Sequence, residues 1–285
     1  MSAAPQRFAV VGRPVAHSMS PAMHAMFAAE TGFAIEYGKI EPAADESFES
    51  CAKRFFAAGG TGLNVTLPYK AEALAFADSA SRLARLAGAA NTLKAEEDGG
   101  VSACNTDGAG LVTDLRTRHG IELAGLRLLL LGAGGASAGV LPSLLQAKPK
   151  AITIANRTAA KAAELAGRFA AFAKEHGVEL ASCGLEETAA GGWDLVVNAT
   201  AAGRGAAGLA LPAAAFGGAR LAYDMSYRSA DDSFLMQAAE AGVERRCDGL
   251  GMLVEQGALS FAYWLGAMPA TEPAYARLRA EIDGE

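Results

Sequence analysis

Short apolar runs alternate along the chain with longer segments whose apolar residues recur at helical spacing. That alternation predicts a parallel, layered α/β sheet. RFAVVG (7–12) reads as a buried strand closing on a glycine. SPAMHAMFAAETG (20–32) reads as a helix, with Ser20 as its N-cap, Pro21 in its first turn and Gly32 at its C-terminal stop. EYGKI (36–40) is a strand, DESFESCAKRFFAAGG (45–60) a helix ended by two glycines, and GLNVTL (62–67) a further strand.

A second series begins near residue 108. LRLLLLGAGGASAGVLPSLLQA (126–147) is strand, glycine turn and helix. AITIANRT (151–158) is the next strand, residues 159–177 a helix, and WDLVVNAT (193–200) and RLAYDMSY (220–227) are strands. This βαβαβ order suits a Rossmann-like unit. From about Asp248 the pattern returns to helix.

At 285 residues the chain exceeds one average domain, and with 51% hydrophobic and 20% charged residues it can bury large cores. A net charge of −6 argues against nucleic acid as the main partner. The four cysteines and four histidines show no metal-ligand spacing, so no metal is expected and the thiols read as reduced. No signal peptide is read in MSAAPQRFAV. Four glycines and Pro142 interrupt the most apolar stretch, so neither export nor a membrane span is expected.

The glycine turn Gly132-Ala133-Gly134-Gly135-Ala136-Ser137 follows an apolar strand and opens a helix, where backbone N–H groups can cradle a pyrophosphate. Ser137 stands where the fingerprint has a glycine, and a glycine turn alone could be punctuation. The next strand ends in Asn156-Arg157-Thr158 without a carboxylate. Arg157, 25 residues after Gly132, and Lys161, one turn on, can pair with a 2′-phosphate, which points to NADP over NAD. The alternative is a solvated helix start.

The N-terminal half should then bring substrate and a proton source. In NVTLPYK (64–70), a threonine and a lysine flank a proline turn. Ser18 and Ser20, two residues apart, can both donate to one carboxylate; capping by Ser20 alone leaves Ser18 unexplained. Asn91 and Thr92, then Asn105, Thr106 and Asp107, sit among small residues as a polyhydroxylated ligand requires. One lysine and one aspartate in such a ring suit proton transfer to a carbonyl as it becomes an alcohol.

The motifs HSMSP, NVTLPYK, GAANTL, NTDG, GAGGAS, NRT, VNAT, YDMSY and DGLGMLVEQ, in this order over nearly the whole chain, resemble the shikimate dehydrogenase family. The resemblance implies NADPH-dependent, reversible reduction of 3-dehydroshikimate to shikimate, in the cytoplasm, by a monomer or homodimer whose partner is this small molecule and neither nucleic acid nor membrane. It implies Lys70 and Asp107 as the catalytic pair. Ser18 and Ser20 would hold the substrate carboxylate with Tyr227 closing over it, and Thr66, Lys70, Asn91, Asp107 and Gln256 would hold ring oxygens. The implied NADP contacts are Gly132, Ala133, Gly134, Gly135, Ala136, Asn156, Arg157, Thr158, Lys161, Met225 and Gly249. The implied architecture is an α/β substrate domain (1–107 with 249–285) and a Rossmann-like NADP domain (108–248), with a cleft between them. Two departures stand out: Ala201 follows NAT where many members carry serine, and Arg82 replaces an acidic residue. Competing readings are a quinate/shikimate dehydrogenase using NAD and a silent NADP-binding regulatory homologue; the presence of both Lys70 and Asp107 argues against the latter.

Overall fold

A computed structural model describes residues 4–200, 209–227 and 233–284. Ala201 lies outside the described residues. The chain divides into two compact units: the first runs up to Gly110 and resumes at Leu253, and the second is Leu111–Met252.

The elements run β1 (Gln6–Val11), α1 (Ser20–Thr31), β2 (Ile35–Ile40), α2 (Phe48–Ala57), β3 (Gly60–Val65), α3 (Lys70–Phe76), β4 (Ser79–Ala80), α4 (Arg82–Ala87), β5 (Thr92–Ala95), β6 (Val101–Cys104) and α5 (Asp107–Thr117). There follow β7 (Arg127–Leu131), α6 (Gly135–Gln146), β8 (Ala151–Ala155), α7 (Ala159–His176), β9 (Glu179–Cys183), β10 (Leu195–Asn198), β11 (Leu221–Asp224), α8 (Ser233–Glu240), β12 (Arg246–Cys247), α9 (Leu250–Leu265) and α10 (Glu272–Asp283).

The first unit holds a six-stranded sheet in the order β2-β1-β3-β5-β6-β4. Phe48, Cys51, Ala52 and Phe55 lie at helical spacing on one face of α2. That face packs on Ala9, Val11, Leu63, Val65 and Leu93, so the amphipathic pattern fixes where the helix docks. Ser47 caps α2, its side chain accepting from the Ser50 N–H.

A purely parallel sheet is not what forms here. β5 runs antiparallel to both β3 and β6. The cause is local: Asp98-Gly99-Gly100 turns the chain, with Gly99 at φ +88° and the Glu96 N–H donating to the Gly100 carbonyl at 2.8 Å, which makes β5 and β6 a hairpin. The start of α1 also differs from expectation. Met19 is the N-cap and makes no side-chain cap bond, Ser20 is the first helical residue, and the Ser18 hydroxyl accepts from the Ser20 N–H at 3.3 Å. Ser18 therefore does the satisfying that was expected of Ser20. Gly32 ends the helix in the left-handed conformation, as expected.

The second unit is a six-stranded sheet in the order β12-β11-β10-β7-β8-β9, with every pairing parallel. The chain winds outward from β7 to β9, returns to β10 beside β7, and winds out the other way. This is the doubly wound order, with its switch point between β7 and β10. Leu128–Leu131 are fully buried without alternation, which is how a strand covered on both faces reads. β9, half-exposed at the sheet edge, lacks such a run and has no strand signal in the sequence. Pro142 lies inside α6 and does not end it. No helix among the described residues is long and apolar enough to cross a membrane.

Candidate active site

In the first unit the proline turn does what NVTLPYK suggests. β3 ends at Val65, the Tyr69 N–H donates to the Thr66 carbonyl at 3.0 Å, and α3 starts at Lys70. Lys70 Nζ lies 2.6 Å from Asp107 Oδ2. The other carboxylate oxygen, Oδ1, accepts from Asn91 Nδ2 at 2.8 Å, and the Asp107 N–H donates to Asn105 Oδ1 at 3.1 Å.

Asn91 is the hub behind that carboxylate. Its Nδ2 also donates to Thr106 Oγ1 at 2.8 Å and Gln256 Oε1 at 3.2 Å, and its Oδ1 accepts from the Thr106 N–H and the Thr92 hydroxyl, each at 2.9 Å. Only 2% of Asn91 is exposed, and its two N–H groups serve three acceptors.

The network continues into Asn64. Its Nδ2 faces Ser260 Oγ at 3.0 Å, Thr92 Oγ1 at 3.3 Å and the Asn91 carbonyl at 3.3 Å, while its Oδ1 accepts from the Tyr37 hydroxyl at 2.7 Å. Thr66 sits in the turn before Lys70, half-buried, and its hydroxyl makes no hydrogen bond among the described residues. Its methyl fills the space a Cβ at Gly12 would take. Ser18 and Ser20 are brought together, the Ser18 hydroxyl donating to Ser20 Oγ at 3.1 Å.

Tyr37 and Ser260 are members of this network that the sequence reading passed over. Ser260 had a signal: it lies four residues after Gln256 and so on the same face of α9. Tyr37, in an edge strand, carried none.

In the second unit the glycine turn closes tightly. Gly132 has φ +102°, and a Cβ there would meet Thr200 Cγ2 at 3.0 Å. Ser137 is not a defect in the fingerprint. Its buried hydroxyl donates to the Gly132 carbonyl at 2.8 Å and ties the helix to the turn. Residues 134–136 are exposed, among the described residues nothing lies within 4 Å of a Cβ built on Gly134 or Gly135, and the N-cap Gly134 offers no side-chain cap. The first turn of α6 is thus exposed and has no side-chain cap, an arrangement suited to a pyrophosphate.

α7 starts the same way: its N-cap, Thr158, makes no side-chain cap bond, and no acidic residue occupies its first turn. Arg157, Thr158 and Lys161 are exposed there, and Asn156 Nδ2 donates to the Thr158 carbonyl at 3.0 Å. Two cations at an uncapped helix start fit a phosphate monoester.

Beside the switch point, at the ends of β10 and β11, Asn198 Nδ2 donates to buried Asp224 Oδ2 at 2.5 Å. Burial pushes the Asp224 carboxyl pKa up, against the hydrogen bonds from Ser226 and Asn198. The Met225 N–H donates to the Asn198 carbonyl at 2.9 Å. A Cβ at Gly249 would overlap the Met225 carbonyl, so glycine is a steric need there whatever binds nearby. Tyr227, after β11, is half-buried.

A glycine turn opening an uncapped helix at a doubly wound switch point, together with an apposed lysine and aspartate in the other unit, is the kind of arrangement found in pyridine-nucleotide oxidoreductases. Residues 10–93 match the family described as the shikimate dehydrogenase substrate binding domain, 114–204 that of shikimate / quinate 5-dehydrogenase, and 249–279 the shikimate 5'-dehydrogenase C-terminal domain. The shikimate dehydrogenase (NADP(+)) of Halorhodospira halophila is 47% identical over 272 residues, 95% of this chain and 97% of its own. Among solved structures, the Ael1 enzyme from Pseudomonas putida is 43% identical with a TM-score of 0.88, covering 96% of this chain and 98% of its own. The shikimate 5-dehydrogenase of Thermus thermophilus, in complex with NADP(H) and shikimate, is 35% identical with a TM-score of 0.83, covering 96% of this chain and 98% of its own. The chain belongs to the shikimate dehydrogenase family.

Proposed function

We propose that this protein catalyses the reversible NADPH-dependent reduction of 3-dehydroshikimate to shikimate, the step that feeds aromatic amino-acid biosynthesis. The observation that carries the reading is the 2.6 Å pair of Lys70 and Asp107 at the edge of a satisfied polar network.

NADPH, when bound, supplies the hydride. Lys70 stabilises the charge that grows on the former carbonyl oxygen and gives it a proton, directly or through one water. Asp107 orients Lys70 with one oxygen while Asn91 holds the other, so the ammonium is aimed before substrate arrives. Thr66, Asn91 and Gln256 bind ring oxygens with the catalytic pair, Ser18 and Ser20 take the carboxylate, and Tyr227 closes on that side. Gly132–Ala136 hold the pyrophosphate, and Asn156, Arg157, Thr158 and Lys161 hold the 2′-phosphate end. Met225 and Gly249 complete the cofactor set. The net charge of −6 argues against nucleic acid as a partner, and family membership supports a cytoplasmic monomer or homodimer with a small-molecule substrate and no membrane partner.

The test is absorbance at 340 nm with shikimate or quinate against NADP+ or NAD+. We expect shikimate with NADP+ to give the highest kcat/KM. A higher value for quinate with NAD+ would reassign the enzyme to the quinate-oxidising form, and no turnover with any pair would leave a silent binding module.

A further inference from the structure

Tyr37 lies on β2, two strands away from Asn64 on β3, with β1 between them: Tyr37 pairs with Phe8, and Asn64 with Val10. Residues 8 and 10 of a strand point to the same face. The Tyr37 phenol spans β1 on that face and donates to Asn64 Oδ1 at 2.7 Å. The donation fixes which end of the Asn64 amide faces the network, so Nδ2 points to Ser260, Thr92 and the Asn91 carbonyl. The opposite contact of Tyr37 is with α1. Its ring stacks on His24 with centroids 4.4 Å apart and planes 8° from parallel. His24 lies four residues after Ser20, one turn along the same helix face. One side chain thus touches the helix that starts at the paired serines and the amide that leads to Asn91 and Asp107.

We propose that Tyr37 is a positioning residue that sets the separation between the paired serines and the Asn64–Asn91–Asp107 network, and so gauges the substrate from its carboxylate to its ring hydroxyls. The inference rests on the proposed function. Removing the hydroxyl as Tyr37→Phe keeps the stacked ring and frees the Asn64 amide to rotate. The Asn64 end then loses its register against the α1 end that the stacked ring still holds, and substrate binding weakens while Lys70 stays in place.

The test is shikimate affinity by titration calorimetry, which needs no turnover, on wild type, Tyr37→Phe, Ser20→Ala and the double variant, with methyl shikimate as the uncharged control. We expect Tyr37→Phe to raise the shikimate Kd about 10-fold, the scale of one hydrogen bond's worth of binding, with kcat within about 2-fold. We expect its effect on methyl shikimate to be under about 2-fold. In the Ser20→Ala background it should add less than about 2-fold, because coupled residues are not additive. Effects of the two substitutions that multiply, or an equal loss for acid and ester, overturn the gauge. A wild type that binds no shikimate overturns the substrate reading itself, and this inference with it.

Discussion

Lys70 and Asp107 meet at 2.6 Å, and each is the first residue of its helix. The two positions are not equivalent. A carboxylate at the start of α5 is favoured by the helix dipole, whereas an ammonium at the start of α3 is opposed by it, an effect of about 0.3–1 kcal/mol each at exposed ends. Stability alone would place an acidic or capping residue at position 70. That a lysine stands there, held by a carboxylate from another element, marks a place where local preference yields to chemistry.

On the proposed mechanism the pair's main work is in the chemical step, so Lys70→Ala should lower kcat by about 100-fold or more with substrate KM within about threefold. Steady-state kinetics in the direction of shikimate oxidation measures both. A variant that keeps most of its kcat would remove Lys70 from acid–base catalysis.

Arg157 stands exposed at the uncapped start of α7, and charge-assisted bonds to phosphate run to about 1.5–3 kcal/mol. Arg157→Ala should therefore raise KM for NADPH by about 10- to 100-fold and change KM for NADH by less than about 2-fold. Equal changes for the two cofactors would strip Arg157 of its 2′-phosphate role.

What could be read from the sequence follows from how local the physical requirement is. The glycine turn was legible because close backbone approach and a left-handed φ demand glycine at fixed offsets, and the doubly wound unit was legible because strands buried on both faces must be continuously apolar. The network behind Asp107 was only partly so. Asn91, Thr106 and Asp107 advertise themselves by polar type among small residues. Tyr37, by contrast, reaches Asn64 from 27 residues away with no local pattern to encode it, and Ser260, 196 residues from Asn64, shows only in its spacing from Gln256 on α9. The β5–β6 hairpin had its turn signal in Asp98-Gly99, but the strands beside it are short and partly polar.

Gly251 tests a second buried cluster, within the second unit. Asp114 is fully buried, accepts from the Tyr223 hydroxyl at 2.7 Å and pairs with Arg118 at 3.0 Å. Although burial pushes its carboxyl pKa up, the contacts with His119, Tyr223 and Arg118 outweigh that and hold it below the usual value. A Cβ at position 251 would overlap this carboxylate, which cannot shift without giving up those partners. Gly251→Ala combines overpacking with a strained or lost buried hydrogen bond, so we expect a loss of about 2–4 kcal/mol in urea unfolding. A change within about 0.5 kcal/mol would show that the cluster yields freely.

The acid limb of stability should carry the mark of His24. Its ring is fully buried, both ring nitrogens lack a hydrogen-bond partner among the described residues, and one face is stacked on Tyr37. Burial pushes its pKa from 6.5 down to about 3, with Asn64 pulling the other way. Between those values the unfolded chain binds a proton that the folded chain refuses. Folding stability is then lost as pH falls through the window, by about 1.4 kcal/mol per pH unit once below 6.5. His24→Phe keeps a stacked ring and removes the titration. Urea unfolding at pH 8 and pH 5 should show wild type losing about 2 kcal/mol more than the variant over that interval. Parallel losses in the two proteins would mean that His24 takes up its proton in the folded state, and that the ring is not sealed from water.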